Sequence, residues 1–438
     1  MNQQEGAMTV NRRELADDRK KIYLKCPDNT LAFLADGYRF ISKRMKKYET
    51  DIFVTRILGK KAICITGEEA SRLIYHPDLF ERNNALPKRI QKSIFGEHAI
   101  QTMDGEQHLH RKQLFLSLLT KDQESKLSKI VSKNWEDKAV TWILTDEIIL
   151  KEEADEVFCK SALEWAGIPC DKNKVKEKAV DFAYLVDSFG GVGARYWKGR
   201  AARKRLEKWL ENLIHEVRGR KLTVEEGTVL YAMSYYIDLT GQRLSDHMAA
   251  IEIINVIRPI IAVSTYLTFA ALALYKHPRW KDRLLTKNVL NMDMFLKEVR
   301  RFYPFGPVLG AKVKQDFTWK QVQFHKGDMA LLDVFGTNRD PRKWEKANRF
   351  WPDHFRDWSG NLFDFIPQGG GDPASGHRCP GEGITMSLMK VSIEFLLHTI
   401  EYEVPIQDLR VSLVRMPTRP KSGFRMNNIK RKREEEMM

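Results

Sequence analysis

The sequence predicts a mainly α protein with small β-sheets. Three observations support this prediction. Apolar residues recur at helical spacing through most of residues 105–302, two strand patterns surround a Gly-Lys turn in residues 51–67, and short strand patterns return in residues 312–332 and after 401. No internal repeat and no linker rich in Pro, Gly or Ser interrupts the 438 residues, so we expect a single domain, 1–438.

The predicted elements follow a simple order along the chain. Residues 1–28 are expected to be a poorly ordered lead-in, and residues 429–438 a charged tail. Helical apolar spacing in residues 29–48 precedes the two strands of residues 51–67. The main helical patterns then lie at 105–119, 123–140, 149–166, 173–188, 199–218, 244–275, 277–287 and 293–302. An irregular, turn-rich stretch occupies residues 338–378.

Composition and cysteine usage narrow the class of protein. Apolar residues make up 43% of the chain and charged residues 30%, which is typical of a globular protein. The polar N-terminus has no apolar signal core, so we expect no membrane anchor. Five isolated cysteines without CxxC spacing favour a reducing, cytoplasmic location. The net charge of +15 is distributed along helices where basic and acidic residues alternate, so nucleic acid is not an expected partner.

The longest apolar run contains a feature that a plain core helix would avoid. Residues 253–275 include no acidic residue, yet Arg258 lies among them and Pro259 follows it. A buried, unpaired guanidinium is costly, and a proline removes a helical hydrogen bond. One explanation is an internal ion pair with Glu252 or Asp246. The other is an anion that comes from outside the chain.

A second informative stretch is "FIPQGGGDPASGHRCPGEGITMSLMK", residues 365–390. Its glycines allow the backbone to approach a flat ligand closely, and Cys379 precedes a helical run. Backbone N–H groups at a helix N-terminus stabilise a thiolate. The residues alone leave two functions open for this sulfur: a redox nucleophile, or an axial ligand to iron. A lone cysteine is most often a small core residue, but a core position needs neither the glycines nor the flanking His377 and Arg378.

Two further motifs precede this loop. The segment "FLKEVRRFYPF" places Glu298 and Arg301 on one helix face, which alone indicates a surface ion pair. It is followed by "GTNRDPRKWEKANRFWPDHF", residues 336–355, with irregularly spaced aromatics and prolines. Together with the Gly-rich cysteine segment, these motifs make the chain resemble the cytochrome P-450 superfamily over nearly its whole length.

This resemblance implies a cytochrome P-450 fold with haem b buried between the long central helix and the cysteine loop with its following helix. Cys379 would be the axial thiolate ligand of the iron. Glu298 and Arg301 would form a buried pair that locks the meander, residues 336–355, behind the haem. The cations expected to contact the haem propionates are His108, Lys112 and His377.

Departures from the usual pattern indicate a subfamily. Asp372 stands seven residues before the cysteine, where the superfamily usually has Phe. The central helix lacks the acid–alcohol pair that delivers protons to oxygen, and it has Arg258-Pro259 instead. This "RP", the "PQGGGD…GHRCPGE" loop and "FERNNALPKRIQKSIFGEHAIQTMDGEQH" all resemble the bacterial fatty-acid peroxygenase subfamily.

The subfamily resemblance implies an oxidoreductase that uses hydrogen peroxide to hydroxylate long-chain fatty acids. The substrate carboxylate would pair with Arg258 through a bidentate contact and supply the missing general acid–base. Pro259 would open the helix above the haem. Anchoring the carboxylate there places the α and β carbons nearest the iron, so hydroxylation is expected at one or both. No obligatory redox partner is expected.

The resemblance also implies residues that contact the acyl chain. Gln101 would face the α and β carbons, and Gln rather than His there favours hydroxylation over decarboxylation to terminal alkenes. Val308 stands where a close relative has Phe, which affects pocket width. The residues expected to line the acyl channel are Phe95, Ile94, Val186, Phe189 and Phe305.

Four alternatives are weighed against this function. They are a fatty-acid decarboxylase, a reductase-dependent monooxygenase, a haem-thiolate isomerase of lipid hydroperoxides and a non-catalytic haem sensor. The missing acid–alcohol pair argues against the monooxygenase, Arg258-Pro259 is not the signature of the isomerases, and no sensor-type partner domain is visible. Peroxide-driven turnover and optical spectra with a fatty acid distinguish these classes.

Overall fold

Side-chain caps mark where several of the helices begin. In the computed structural model, which describes residues 28–432, the Ser245 hydroxyl accepts a hydrogen bond from the Met248 amide at 3.1 Å. Thr120 and Asn288 cap two other helices in the same way. Each cap provides an acceptor for an amide that the first helical turn leaves unpaired.

The helices follow the predicted order, and the prediction of a mainly α protein with small sheets is confirmed. Val229–Tyr235 was not predicted, because a seven-residue helix offers too few apolar repeats to recognise. The helices are Thr30–Asp36, Phe40–Tyr48, Glu68–Ile74, Gly105–Leu118, Lys121–Trp142, Leu150–Trp165, Val175–Asp187, Ala194–Arg218, Val229–Tyr235, Asp246–Lys276, Pro278–Leu285, Val289–Phe302 and Glu382–Glu394.

The strands form three small sheets. They are β1 (Ile52–Ile57), β2 (Lys60–Ile65), β3 (Phe80–Glu81), β4 (Glu147–Ile149), β5 (Val308–Val313), β6 (Phe317–Trp319), β7 (Val322–Phe324), β8 (Met329–Asp333), β9 (Ile400–Glu403) and β10 (Arg425–Arg431). The largest sheet has the order β1-β2-β8-β5-β3, with β2 and β8 parallel and its other pairs antiparallel. A second sheet has the order β4-β10-β9, and β6 pairs with β7.

The expected terminal segments differ from the structure at their inner boundaries. Residues 1–27 and 433–438 lie outside the described residues. Asp28, the last residue of the expected lead-in, accepts hydrogen bonds from the amides of Thr30 and Gly59. Residues 429–431, expected in the charged tail, instead belong to β10, because Lys430 and Arg431 pair with β9.

The helix Asp246–Lys276 is called the central helix from here on, and it carries Arg258 and Pro259. All but a few of its residues are buried, and Pro259 lies within it. By length and composition this helix could cross a membrane, but 94% of its most apolar 18-residue window is buried inside the protein. Its side chains pack into an apolar cluster whose members extend from Ile100 to Ile429.

Candidate active site

Cys379 is held in place by a hydrogen-bonded brace within the cysteine loop, residues 365–381. Its amide donates to the Gln368 carbonyl at 3.0 Å. The Gln368 side-chain amide lies 3.7 Å from the Cys379 sulfur and donates to Thr385 at 3.0 Å. Thr385 belongs to the following helix, so the brace ties the sulfur to both the loop and that helix.

Glycine is required at one turn of this loop. Gly369 has φ +99°, and a Cβ there would lie 2.8 Å from the Tyr75 hydroxyl oxygen. Asp372, where the superfamily usually has Phe, closes a turn of its own: its carboxylate accepts from Ala374 and Ser375. The loop therefore has a polar turn where the superfamily usually has an aromatic ring.

The surroundings of Cys379 oppose a bare thiolate. Burial raises the pKa of the Cys379 thiol above its ordinary value, and the nearby Glu382 acts in the same direction. The Gly381 amide and Lys112 favour the anion but do not outweigh burial. A metal cation bonded to the sulfur would reverse this balance.

A buried cluster of basic groups lies beside the cysteine loop. The His108 ring stacks on His377 with centroids 4.1 Å apart, and Lys112 donates to the carbonyls of Gly376 and Arg378. Burial first, and then His377 and Lys112, lower the pKa of His108 to about 3. Burial also lowers the pKa of Lys112 to about 8. Anionic groups placed here would favour the charged forms of both side chains.

Arg82 is part of this cluster, although no motif or spacing in the sequence predicts it. It is buried, donates to the carbonyls of Gly310 and Ile74, and lies over the Tyr75 ring at 5.2 Å. Its charge lowers the pKa of both His108 and His377. A single arginine after a two-residue strand is usually exposed, so only the fold reveals its place.

Arg258 is a buried cation that forms no internal ion pair among residues 28–432. Its side chain is 7% exposed, and its Nε has no hydrogen-bond partner there. The hypothesis of an internal ion pair with Glu252 or Asp246 is wrong. Glu252 pairs with Arg111, and Asp246 pairs with Arg218. Burial and then the like charge of Arg203 lower the pKa of Arg258 to about 9, so the group is still a cation at neutral pH.

Cys379 and Arg258 are close enough to interact electrostatically. The Cys379 sulfur affects the pKa of Arg258 and of Tyr266, both on the central helix. Phe95 contributes to the same region, since the Arg258 guanidinium lies 5.3 Å from the centre of its ring.

The other residues expected to contact substrate lie on four segments. Ile94 is buried in the π-helical turn Gln91–Phe95, and Gln101 lies in the turn Ile100–Thr102 with an amide oxygen that is buried and has no partner in residues 28–432. Val186 is buried near the end of Val175–Asp187, and the Phe189 ring lies beside Gly306. Phe305 lies 5.8 Å from the Tyr266 ring.

Glu298 and Arg301 form a fully buried pair rather than a surface one. Two hydrogen bonds of 2.7 and 2.8 Å join them, and both side chains have no solvent exposure. Arg301 also donates to carbonyls of Asn338, Ala347 and Arg349 in and beside the meander. Glu298 accepts from the Trp351 amide and contacts His354. The pair thus binds the meander to the helix Val289–Phe302.

The donor groups at this site fit haem. Among residues 28–432 no group of three or more His, Cys, Asp or Glu side chains could hold a metal ion. The Cys379 sulfur is the kind of single donor that ligates haem iron. Gln101 and Arg258 each contribute a buried polar atom that has no hydrogen-bond partner in residues 28–432. The basic cluster fits two propionates. Together these features define a haem-thiolate protein.

Comparison with known proteins identifies the family. The cytochrome P450 profile matches residues 263–426. The structure of cytochrome P450EX alpha (CYP152N1), wild type with myristic acid, is 40% identical, covers 94% of this chain and 99% of that chain, and superposes with a TM-score of 0.90. Ligand-free cytochrome P450 OleT is 34% identical, with coverage of 94% and 99% and a TM-score of 0.91.

Curated relatives match at lower identity, and some of them match only part of the chain. Demethylepipodophyllotoxin synthase of Sinopodophyllum hexandrum is 28% identical over 131 residues, which are 29% of this chain. The match covers only 24% of the plant protein's length. The full-length structural matches carry the assignment: the chain belongs to the cytochrome P450 family and is similar to its CYP152 members. Its cofactor is haem b.

Proposed function

We propose that this cytochrome P450 uses hydrogen peroxide to hydroxylate long-chain fatty acids at the α carbon, the β carbon or both. The observation that carries the proposal is Arg258, a buried cation that has no anionic partner within residues 28–432. The similar protein cytochrome P450EX alpha was solved with myristic acid, a long-chain carboxylic acid. A fatty-acid carboxylate would supply the anion that Arg258 lacks.

The carboxylate is also suited to act as the acid–base group. Residues 253–275 of the central helix contain no acid, and Glu252, the nearest one, is already bound to Arg111. A carboxylate held by Arg258 would accept a proton from hydrogen peroxide and return one as the O–O bond breaks. The overall balance is that R–CH2–R′ and H2O2 give R–CH(OH)–R′ and water.

Haem bound through Cys379 supplies the oxidising chemistry. His108, Lys112, His377 and Arg82 would hold its propionates, and Glu298 and Arg301 keep the meander in place. Arg258 binds and orients the substrate, and its bidentate fork fixes the direction of the acyl chain. Pro259 removes one helical hydrogen bond beside Arg258.

The acyl chain would pass along apolar side chains from separate segments. Ile94 and Phe95 come from the turn before the helix Gly105–Leu118, Val186 and Phe189 from the end of another helix, and Phe305 from the segment before β5. Val308 is the first residue of β5. Because Val is smaller than the Phe of a close relative, it would leave a wider channel near Phe305. The absence of an obligatory redox partner and a cytoplasmic location remain predictions.

The test is a comparison of oxidants. Purified protein is incubated with myristic acid and hydrogen peroxide, and separately with NADPH and a P450 reductase in the presence of catalase. We expect hydroxy acids with peroxide and none in the reductase arm. Turnover only with the reductase would overturn the proposal. Cys379→Ala is the control, and it should lose both haem-thiolate absorbance and activity.

A further inference from the structure

A buried acid on the central helix connects the segments that carry Gln101 and Phe95. Glu252 has no solvent exposure and lies less than two helical turns before Arg258. One of its carboxylate oxygens accepts from the Ile100 amide and from Arg111, each at 3.0 Å. The Ile100 amide is the backbone group next to Gln101, so Glu252 fixes the turn that presents Gln101.

Asn255, one turn further along the same helix, extends this connection. Its side-chain amide donates to the second Glu252 oxygen at 3.1 Å and to the Phe95 carbonyl at 2.9 Å. Arg203 donates to the same Phe95 carbonyl at 3.2 Å. The Phe95 ring lies under the Arg258 guanidinium. The backbone that carries this ring is therefore fixed by a neighbour of Arg258 on the same helix.

These bonds connect the two ends of one segment, residues 95–101, to the helix that carries the substrate anchor. A buried carboxylate is costly unless several donors bind it. Glu252 meets this condition with one backbone amide, one guanidinium and one side-chain amide. The core contains other buried ion pairs, but this one joins three residues that the proposed function places around the substrate.

We infer that Glu252 and Asn255 are positioning residues that set the place of Gln101 and Phe95 relative to Arg258, and thereby decide which carbon is oxidised. The inference rests on the proposed function. The α and β carbons are one bond, about 1.5 Å, apart. A displacement of about 1 Å in a positioned group changes reaction rates strongly. Movement of the 95–101 segment should therefore change the product ratio more than substrate affinity.

The test uses Glu252→Gln and Asn255→Leu in the full-length, haem-loaded protein. Glutamine keeps the shape of residue 252 but brings an amide that cannot accept all three donors. We expect the ratio of α- to β-hydroxymyristate to change at least threefold in both variants. The dissociation constant for myristate should stay within threefold of wild type, because Arg258 is intact. Amide hydrogen exchange in residues 95–102 should become at least tenfold faster.

Ser264→Ala is the matched control. Ser264 is fully buried on the same helix and donates to Asp155 at 2.6 Å, within a cluster that includes Lys151. Its loss should lower thermal stability without changing the product ratio or the exchange of residues 95–102. If Ser264→Ala changed the ratio as much as Glu252→Gln, the effect would be general loosening of the helix and the inference would be wrong.

The outcomes separate this inference from the proposed function. If wild type does not oxidise myristate with peroxide, the proposed function fails, while the exchange experiment still tests the connection. If wild type is active and both variants keep its product ratio, the positioning role is wrong. If Glu252→Gln does not fold, Arg111→Lys replaces it in the test. Lysine keeps a positive charge beside Glu252 but weakens the hydrogen bond to its carboxylate, and the same expectations apply.

Discussion

At the scale of single residues, Arg258 differs from the other buried arginines, which bind a carboxylate or, in the case of Arg82, backbone carbonyls. Arg203, Arg300 and Arg301 are as buried, and each has a carboxylate partner: Glu207, Glu382 and Glu298. Arg258 has none in residues 28–432 and has only an aromatic ring beside it. An uncompensated buried charge costs several kcal/mol. In the proposed function, a ligand anion completes the pair and offsets this cost.

Gln101 gives a residue-scale prediction about the reaction product. Its amide cannot exchange protons near neutral pH, whereas an imidazole can. Wild type should therefore form mainly hydroxy acids, and Gln101→His should raise the share of terminal alkene. Gas chromatography of the products from myristic acid measures both. A majority of alkene from wild type, or an unchanged product pattern in Gln101→His, would show that residue 101 does not control this choice.

At the scale of elements, the meander depends on a buried pair. Replacing Glu298 by Gln leaves Arg301 charged, buried and without its carboxylate. Removal of one partner of a buried ion pair typically costs about 3–5 kcal/mol. We expect Glu298→Gln to lower the free energy of unfolding by about that amount and to weaken haem retention.

Chemical denaturation and the haem-to-protein absorbance ratio measure this effect. Asp293→Asn is the control on the same helix, since Asp293 forms an i,i+4 pair with Lys297 that is partly exposed. Its loss should cost less than about 1 kcal/mol. Equal losses in the two variants would mean that the Glu298–Arg301 pair has no special role in holding the meander.

The end of β8 gives a pH-dependent prediction. Burial raises the pKa of the Asp333 carboxyl to about 7, although its Oδ1 accepts from the Gly336 amide. The folded state therefore holds a proton that the unfolded chain releases near pH 4. The resulting stability is present below about pH 4 and is lost as pH rises to about 7.

Asp333→Asn keeps the acceptor and removes the titration. Relative to wild type, the variant should gain stability between pH 4 and 7, on the order of 4 kcal/mol, and the difference should stay constant above pH 7. Thermal unfolding from pH 4 to 8 measures it. A difference that does not change with pH would show that Asp333 is ionised in the folded protein at all these values.

At the scale of the whole molecule, the sequence predicted the helices well because each has several apolar repeats. It did not predict β3 and β4, since strands of two and three residues are defined by their partners rather than by their own pattern. Arg258 could be recognised because a cation within an apolar run is visible locally. The bond from Glu252 to the Ile100 amide could not, since it joins segments far apart in the chain. Arg82 was missed for the same reason.

The central proposal for the whole molecule is that an external carboxylate pairs with Arg258 and takes part in the reaction. The direct measurement is the rate of peroxide-driven myristate oxidation, together with myristate affinity, for wild type, Arg258→Lys and Arg258→Ala. Arg218→Ala is the control, because Arg218 pairs with Asp246 at the start of the same helix. We predict that Arg258→Ala loses affinity and at least about 100-fold in rate.

Arg258→Lys should fall between wild type and Arg258→Ala because it keeps the charge without the planar fork, and Arg218→Ala should resemble wild type. If Arg258→Ala bound and oxidised myristate as wild type does, the carboxylate-assisted account would be contradicted.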